Sequence, residues 1–333
     1  MKALTLVTAD GPESVSIQEH ATPEPGPGQV RVAVRAAALN HRELWITRGQ
    51  YPGMTLPCTL GADGAGVIDA VGEGVDAARI GEEVLLYPGM NWGADPALPA
   101  ANFALLGMPG PGTIAEFICL DARDALRKPA HLSFAEAAAT PLAGVTAWRG
   151  LRTKGELKAG EKLLITGVGG GVGAFACMLG VALGADVYVT SSSEESLKRA
   201  AESGAKAGFN YTDAEWRKAL AAAAKGIDVV FDGAPAASFA NYVRALRTGA
   251  RVVLYGSTGG PSFNVSAPDI FLRNLRLIGT NVGTRDELEA LAAFMGEHKL
   301  KPPIDRIFAF ADAKEALAYL DGAHGYGKVV VTF

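Results

Sequence analysis

The stretch Leu163-Leu164-Ile165-Thr166-Gly167-Val168-Gly169-Gly170-Gly171-Val172-Gly173 decides the fold. An apolar, strand-like run meets a glycine-dense turn, and a helix-like run over 174–184 follows. Such a turn lets the backbone approach a pyrophosphate closely. It also aims free N–H groups from a helix N-terminus, where the helix dipole favours an anion. The stretch therefore predicts a dinucleotide site. Its glycines are spaced as Gly167, Gly170 and Gly173; in a strict GxGxxG register the third glycine would fall at Val172.

A glycine motif alone is weak evidence, so its context carries the argument. Apolar runs at 162–166, 186–190, 227–231, 251–255 and 276–279 alternate with helix-like runs at 172–183, 194–203, 214–224 and 236–246. That alternation predicts an α/β fold, a doubly wound parallel sheet with helices on both faces. Upstream the texture differs. Pro23-Glu24-Pro25-Gly26-Pro27-Gly28 is a turn cluster, and behind it Val30, Val32 and Val34 alternate with Arg31, Ala33 and Arg35. A period of two marks a half-buried strand. Short runs at 65–71, 83–87 and 113–120 extend this β-rich part. Ser133-Phe134-Ala135-Glu136 fits a capping box opening an alanine-rich helix. The tail predicts helices near 285–298 and 312–320 and a last strand at 328–333. Gly325-Tyr326-Gly327 precedes that strand, which could return to the β-rich part and make it discontinuous.

The chain has 333 residues, enough for two domains with large cores. Its net charge of −4 and lack of a basic block argue against nucleic acid or an anionic membrane as partner. No apolar run reaches the roughly 18 residues of a membrane span. The start, Met1-Lys2-Ala3-Leu4-Thr5-Leu6-Val7, reads as a strand rather than a leader. Cys58, Cys119 and Cys177 are widely spaced and odd in number, so they form neither a disulfide framework nor a metal pair. A reducing cytoplasm is the expected setting.

The second strand of the nucleotide unit decides between cofactors. An NAD site usually ends that strand in a carboxylate for the ribose 2′-hydroxyl. Here it ends in Ser191, Ser192 and Ser193, and Glu194 and Glu195 come later, where they suit a helix start. Hydroxyls donate to a 2′-phosphate without repelling it, and Lys198 and Arg199 add positive charge. The expected cofactor is NADPH. The alternative for the serines is a loop and a helix N-cap.

Several further blocks occur in order: Pro25-Gly26-Pro27-Gly28-Gln29-Val30, Leu60-Gly61-Ala62-Asp63-Gly64-Ala65-Gly66-Val67, Val71-Gly72, Gly112-Thr113-Ile114-Ala115-Glu116 and Pro141-Leu142-Ala143-Gly144-Val145-Thr146-Ala147. With the glycine turn and the closing Gly327-Lys328-Val329-Val330 strand, the chain resembles the medium-chain dehydrogenase/reductase superfamily over essentially its whole length. The Gly-x-x-Gly-x-x-Gly spacing looks like its NADPH-dependent quinone oxidoreductase branch. The resemblance implies a GroES-like catalytic domain over 1–122 and 290–333, a Rossmann domain over 123–289, and an active site in the cleft between them. It implies cofactor contacts from Thr146, Gly167, Gly170, Gly171, Val172, Gly173, Ser191, Ser192, Ser193, Lys198, Tyr211 and Gly256. Counted back from Asn210-Tyr211, the position where that branch carries a lysine is Ser196 here, a departure from the pattern.

Zinc-dependent members hold their metal through a cysteine after the third strand and a histidine in a Gly-His-Glu block. Those positions are Asn40 and Ala62 here. His41 and Asp63 are the nearest donors, at best half of the three-ligand set that catalytic zinc needs. The lobe that carries four cysteines in such members has none over 88–107. No metal is expected.

Without a Lewis acid, hydride transfer needs an acceptor that is already electron-poor, such as a quinone or an α,β-unsaturated carbonyl. Asn40 is the candidate hydrogen-bond donor to the developing oxyanion; relatives often keep an asparagine there. Tyr51 lies in a loop that the resemblance places over the substrate, as proton donor or stacking partner. Tyr87, Asn91 and Trp92 are candidates for the substrate pocket. His41, with Arg42 and Glu43, reads equally as a charged helix start. The expected function is a zinc-independent, NADPH-dependent quinone or enone reductase. The alternatives are an alcohol dehydrogenase of the same superfamily and a non-catalytic NADPH sensor. Relatives of this kind are commonly homodimers or homotetramers.

Overall fold

The computed structural model describes residues Met1–Gly322 and Gly325–Phe333. The chain divides into two compact units. The first takes Met1–Ala143, the described residues of Thr284–His324, and Lys328–Phe333; the second takes Gly144–Gly283 and Gly325–Gly327.

The first unit opens with β1 (Lys2–Leu6), β2 (Val15–Glu19), β3 (Gln29–Ala38), the short helix α1 (His41–Thr47), β4 (Cys58–Thr59) and β5 (Asp63–Val71). Next come β6 (Glu83–Leu86), β7 (Gly89–Met90), β8 (Ala104–Leu105), β9 (Phe117–Asp121), β10 (Ala125–Arg127) and α2 (Phe134–Ala138). Val30, Val32 and Val34 of β3 are buried, as their alternation predicts, and pack with Ile68, Val84 and Ile118. Gly66 of β5 is required by close approach: a Cβ there would lie 2.1 Å from the Ala33 carbonyl oxygen. The capping box forms, with Ser133 Oγ accepting Glu136 N–H at 3.2 Å and Glu136 Oε2 accepting Ser133 N–H at 2.7 Å. The helix behind it stops at Ala138, because Pro141 cannot continue it and starts α3 (Pro141–Trp148) instead.

The second unit then runs β11 (Lys162–Ile165), α4 (Gly171–Ala182), β12 (Asp186–Ser191), α5 (Glu194–Glu202), β13 (Ala207–Asn210), α6 (Trp216–Ala224) and β14 (Ile227–Asp232). It ends with α7 (Pro235–Tyr242), β15 (Leu246–Leu254), α8 (Ala267–Phe271) and β16 (Arg276–Gly279). These strands form one parallel sheet in the order β13-β12-β11-β14-β15-β16. The order reverses between β11 and β14, the switch point at which open α/β sheets bind ligands. The helix expected over 236–246 ends at Tyr242, because Leu246 already pairs with Ile227.

The chain returns to the first unit with α9 (Arg285–His298), β17 (Ile304–Ala309), α10 (Ala313–Asp321) and β18 (Lys328–Thr332). β18 pairs antiparallel with β3, Val330 opposite Ala38 and Val331 opposite Ala37. β5 lies on the other side of β3, with Asp63 opposite Ala38. Together these registers bring Asn40, Asp63 and Lys328 to one end of the sheet.

The first unit reaches Ala143, beyond the boundary expected at 122, because α2 packs on β3 and β5. The boundary expected at 290 falls at Thr284, the N-cap of α9, because that helix stays whole. Gly325–Gly327 group with the second unit, where Gly327 N–H donates to the Gly169 carbonyl at 3.0 Å and Ser196 Oγ to that of Gly325 at 3.4 Å. Among the described residues no helix is long and apolar enough to cross a membrane.

Candidate functional site

The glycine turn lies at the carboxyl end of β11. Gly167 adopts φ +66°, a left-handed conformation that favours glycine. Gly173 is buried in the first turn of α4, where a Cβ would lie 2.7 Å from the Gly167 carbonyl oxygen. Gly170, the N-cap of α4, is different: no protein atom lies within 4 Å of the Cβ it lacks. The first turn of a helix has no intrahelical acceptors for its N–H groups. Those of Gly171, Val172 and Gly173 thus remain for an anion, and the space beside Gly170 is open. This arrangement fits a dinucleotide pyrophosphate.

β12 ends in Ser191, which is buried, and its Oγ accepts Ser193 N–H at 3.1 Å. Ser193 caps α5, its Oγ accepting Ser196 N–H at 3.2 Å. Ser192 is exposed, and the Tyr211 hydroxyl donates to its Oγ at 3.0 Å. Glu194 accepts the Asn210 amide at 2.6 Å, which holds its carboxylate against β13. Lys198 sits on the exposed face of α5, and no hydrogen bond or ion pair joins it to the serines. Ser196 is buried beside Gly169. Gly256 follows β15 at the same carboxyl edge of the sheet, and Thr146 is buried within α3.

Asp232, which the sequence reading missed, braces this edge. Its carboxylate accepts Thr166 Oγ1 at 2.6 Å, Ala234 N–H at 2.8 Å, Ser238 Oγ at 2.5 Å and the Tyr242 hydroxyl at 2.8 Å. A fully buried carboxylate needs such saturation. Burial, and then the Asp232 charge, hold the Tyr242 hydroxyl well above the usual tyrosine range.

In the first unit, Asn40 is the N-cap of α1. Its Nδ2 donates to Asp63 Oδ2 at 2.9 Å, and its Oδ1 accepts from Lys328 Nζ. Lys328 Nζ also donates to Asp63 Oδ2 at 2.9 Å and to the Leu39 carbonyl at 2.6 Å. Asp63 Oδ1 accepts Leu142 N–H at 2.7 Å, at the start of α3. Asp63 is 0 % exposed and Lys328 2 %, so the pair is out of water. The signal that could have found it is a carboxylate and an ammonium each opening an apolar strand, since charges buried there are paired.

Next to this cluster in sequence, Glu43 Oε2 accepts Asn40 N–H at 2.7 Å and Glu43 Oε1 accepts Arg42 Nη1 at 3.0 Å. Burial raises the Glu43 carboxyl above the usual carboxylate range, against the pull of Arg42. Arg42 also donates to the Leu106 carbonyl at 2.8 Å and to the Tyr51 hydroxyl at 3.3 Å, with its guanidinium 4.8 Å from the Tyr51 ring centre. Tyr51 is half-buried, and His41 is exposed. The other pocket candidates lie in the segment between β6 and β8. Trp92 packs edge-on to Phe103 and donates to the Asp95 carbonyl at 3.0 Å. Tyr87 is buried and Asn91 exposed.

The donor set does not fit zinc. Asn40 offers an amide oxygen already held by an ammonium, Ala62 offers nothing, and the Asp63 carboxylate is engaged on both oxygens. Among the described residues no three histidine, cysteine, aspartate or glutamate side chains cluster as a metal site.

Known proteins bear on this geometry. A model described as the alcohol dehydrogenase GroES-like domain matches residues 26–130, and one described as zinc-binding dehydrogenase matches residues 171–297. A zinc-type alcohol dehydrogenase-like protein of Leptosphaeria maculans is 36% identical over 329 residues, covering 93% of this chain and 92% of that protein. A quinone oxidoreductase of Rattus norvegicus is 29% identical over 339 residues, covering 99% and 96%. A solved NAD-dependent alcohol dehydrogenase superposes with a TM-score of 0.94 at 34% identity, covering 100% of both chains.

Proposed function

The chain belongs to the medium-chain dehydrogenase/reductase superfamily, an oxidoreductase of GroES-like and Rossmann architecture with a nicotinamide cofactor, and we propose that it is a zinc-independent, NADPH-dependent reductase of quinones or α,β-unsaturated carbonyls. The observation that carries this reading is the hydrogen-bonded cluster of Asn40, Asp63 and Lys328, in which Asn40 stands where zinc-dependent members keep a cysteine ligand. An ammonium bound to the Asp63 carboxylate and to the Asn40 oxygen occupies the place a divalent cation would need.

The bound nicotinamide supplies the hydride. The turn at Gly167–Gly173 binds its pyrophosphate. Ser192 and Tyr211, both exposed and hydrogen-bonded to each other, supply hydroxyls for a 2′-phosphate, and β12 itself ends in Ser191 rather than in a carboxylate. Asn40 has a second Nδ2 proton with no acceptor among the described residues. That proton is the donor for the oxygen on which negative charge develops. Tyr51 receives a hydrogen bond from Arg42, which leaves its own proton to donate.

A second reading is favoured by the solved NAD-dependent alcohol dehydrogenase, and Ser196 in place of a lysine suits it. Oxidation of NADPH and of NADH, followed at the nicotinamide absorbance with 1,4-benzoquinone, an enone and an aldehyde, separates the two. The proposal expects quinone or enone turnover with NADPH, unchanged by a chelator. Turnover of the aldehyde alone, abolished by chelator, overturns it. Tight NADPH binding with no turnover of any acceptor points to a sensor. A cytoplasmic homodimer or homotetramer is the state we expect for such an enzyme; sedimentation of the purified protein tests the assembly.

A further inference from the structure

We propose that Lys328 and Asp63 are positioning residues that orient the Asn40 carboxamide toward the substrate oxygen; the proposal rests on the catalytic reading of Asn40 given above. An ammonium has three protons and no acceptor. All three are used here, on the Leu39 carbonyl, on Asp63 Oδ2 and on Asn40 Oδ1. A carboxylate accepts only, so the Asn40 group facing Asp63 must be its NH2, and the group facing Lys328 must be its oxygen. The two charges therefore exclude the flipped carboxamide. They also fix which Nδ2 proton is spent on Asp63 and which is left for a ligand.

The pair is not needed to register the strands. β18 already lies on β3 through Val330–Ala38, Val331–Ala37 and Thr332–Ala36. A buried ion pair also adds little net stability over an apolar pair of equal volume, because both charges lose their hydration. Its contribution is orientation. A carboxamide left to turn would present an oxygen to the developing oxyanion in part of the population, and misplacement on the scale of 1 Å can cost about 100-fold in rate.

The test combines kinetics with a readout that needs no turnover. Asn40→Ala alone is expected to lower kcat for 1,4-benzoquinone by about 100-fold, the usual effect of losing one oxyanion donor. Asp63→Asn/Lys328→Met removes both charges together. It is expected to lower kcat roughly 10- to 100-fold, with NADPH affinity within about twofold of the unaltered protein. Adding Asn40→Ala to that double variant is then expected to cost less than about threefold more, because the three residues act as a unit. A further fall of the full 100-fold shows that Asn40 is oriented without the pair and overturns the proposal. If the double variant gives no cooperative melt, Lys328→Arg replaces it; it keeps a cation but changes the donor geometry.

The second readout is the Asn40 side-chain NH2 in protein labelled with 15N-asparagine, identified in each background by its loss in Asn40→Ala. Well-separated proton shifts and slow exchange are expected in the unaltered protein, and their collapse in the double variant. Signals that stay unchanged overturn the proposal. If the unaltered protein turns over neither quinone nor enone, the catalytic reading of Asn40 has failed, and the resonances alone decide whether Lys328 and Asp63 orient it.

Discussion

Lys328 Nζ lies 2.9 Å from Asp63 Oδ2, with both side chains buried and a sequence separation of 265. Removing one partner strands the other charge in the interior. Lys328→Met is therefore expected to lower unfolding stability by about 3–5 kcal/mol, read from urea denaturation. Asp63→Asn/Lys328→Met is expected to recover more than half of that loss. Equal stability of the single and double variants would show that the pair is not coupled.

Gly173 and Gly170 separate packing from binding. Gly173→Ala forces a Cβ to 2.7 Å from the Gly167 carbonyl, so it is expected to cost about 1–3 kcal/mol of stability despite the better helix propensity of alanine. Gly170→Ala meets no protein atom within 4 Å. Its stability should stay within about 1 kcal/mol of the parent, while NADPH affinity falls at least about 10-fold, because the methyl occupies the space the pyrophosphate needs. Nucleotide fluorescence titration and thermal melts measure the two effects. Unchanged affinity in Gly170→Ala would place the phosphates elsewhere.

Ser192→Asp tests the 2′-phosphate contact. A carboxylate there faces a like charge near the surface, a repulsion on the order of 1–4 kcal/mol. NADPH affinity is expected to fall by about 10-fold or more, with NADH affinity within about threefold of the parent. Equal loss for both nucleotides would remove Ser192 from cofactor discrimination.

Asp124 carries a pH dependence. Burial, then the nearby Asp121 charge, raises its carboxyl from 3.8 to about 6. A raised carboxyl favours the protonated folded form, so its cost is absent below the ordinary value of 3.8, grows as pH rises, and is fully present above about 6. The side chain is only partly buried, and solvent screening reduces the effect. Asp124→Asn is expected to raise the melting temperature by about 2–4 °C at pH 7.5 and to leave it unchanged at about pH 3. A rise of equal size at both pH values would point to packing rather than charge.

The periodic features of the chain are legible in the sequence alone. The run from Leu163 to Gly173, the strand–helix alternation behind it, the Val30-Val32-Val34 strand and the Ser133–Glu136 capping box all follow from neighbours within a few residues, and all form. β13 and β17 escaped because each is short or edge-placed and carries little hydrophobic alternation of its own. The unit boundaries shifted because packing, not composition, assigns α2 to β3 and β5.

Site residues divide in the same way. The glycine turn and the serine-rich end of β12 are local chemistry, readable from residue type and spacing. The partners of Asn40 are not. They depend on β18 and β5 flanking β3 in one register each, and a shift of one residue would turn Lys328 and Asp63 to the other face. Residue order was enough to specify a nucleotide-binding sheet joined to a β-rich part, because backbone geometry and hydrophobic period act over short range. The pairing of Lys328 with Asp63 around Asn40 arose from long-range strand register and from the need of buried charges for each other.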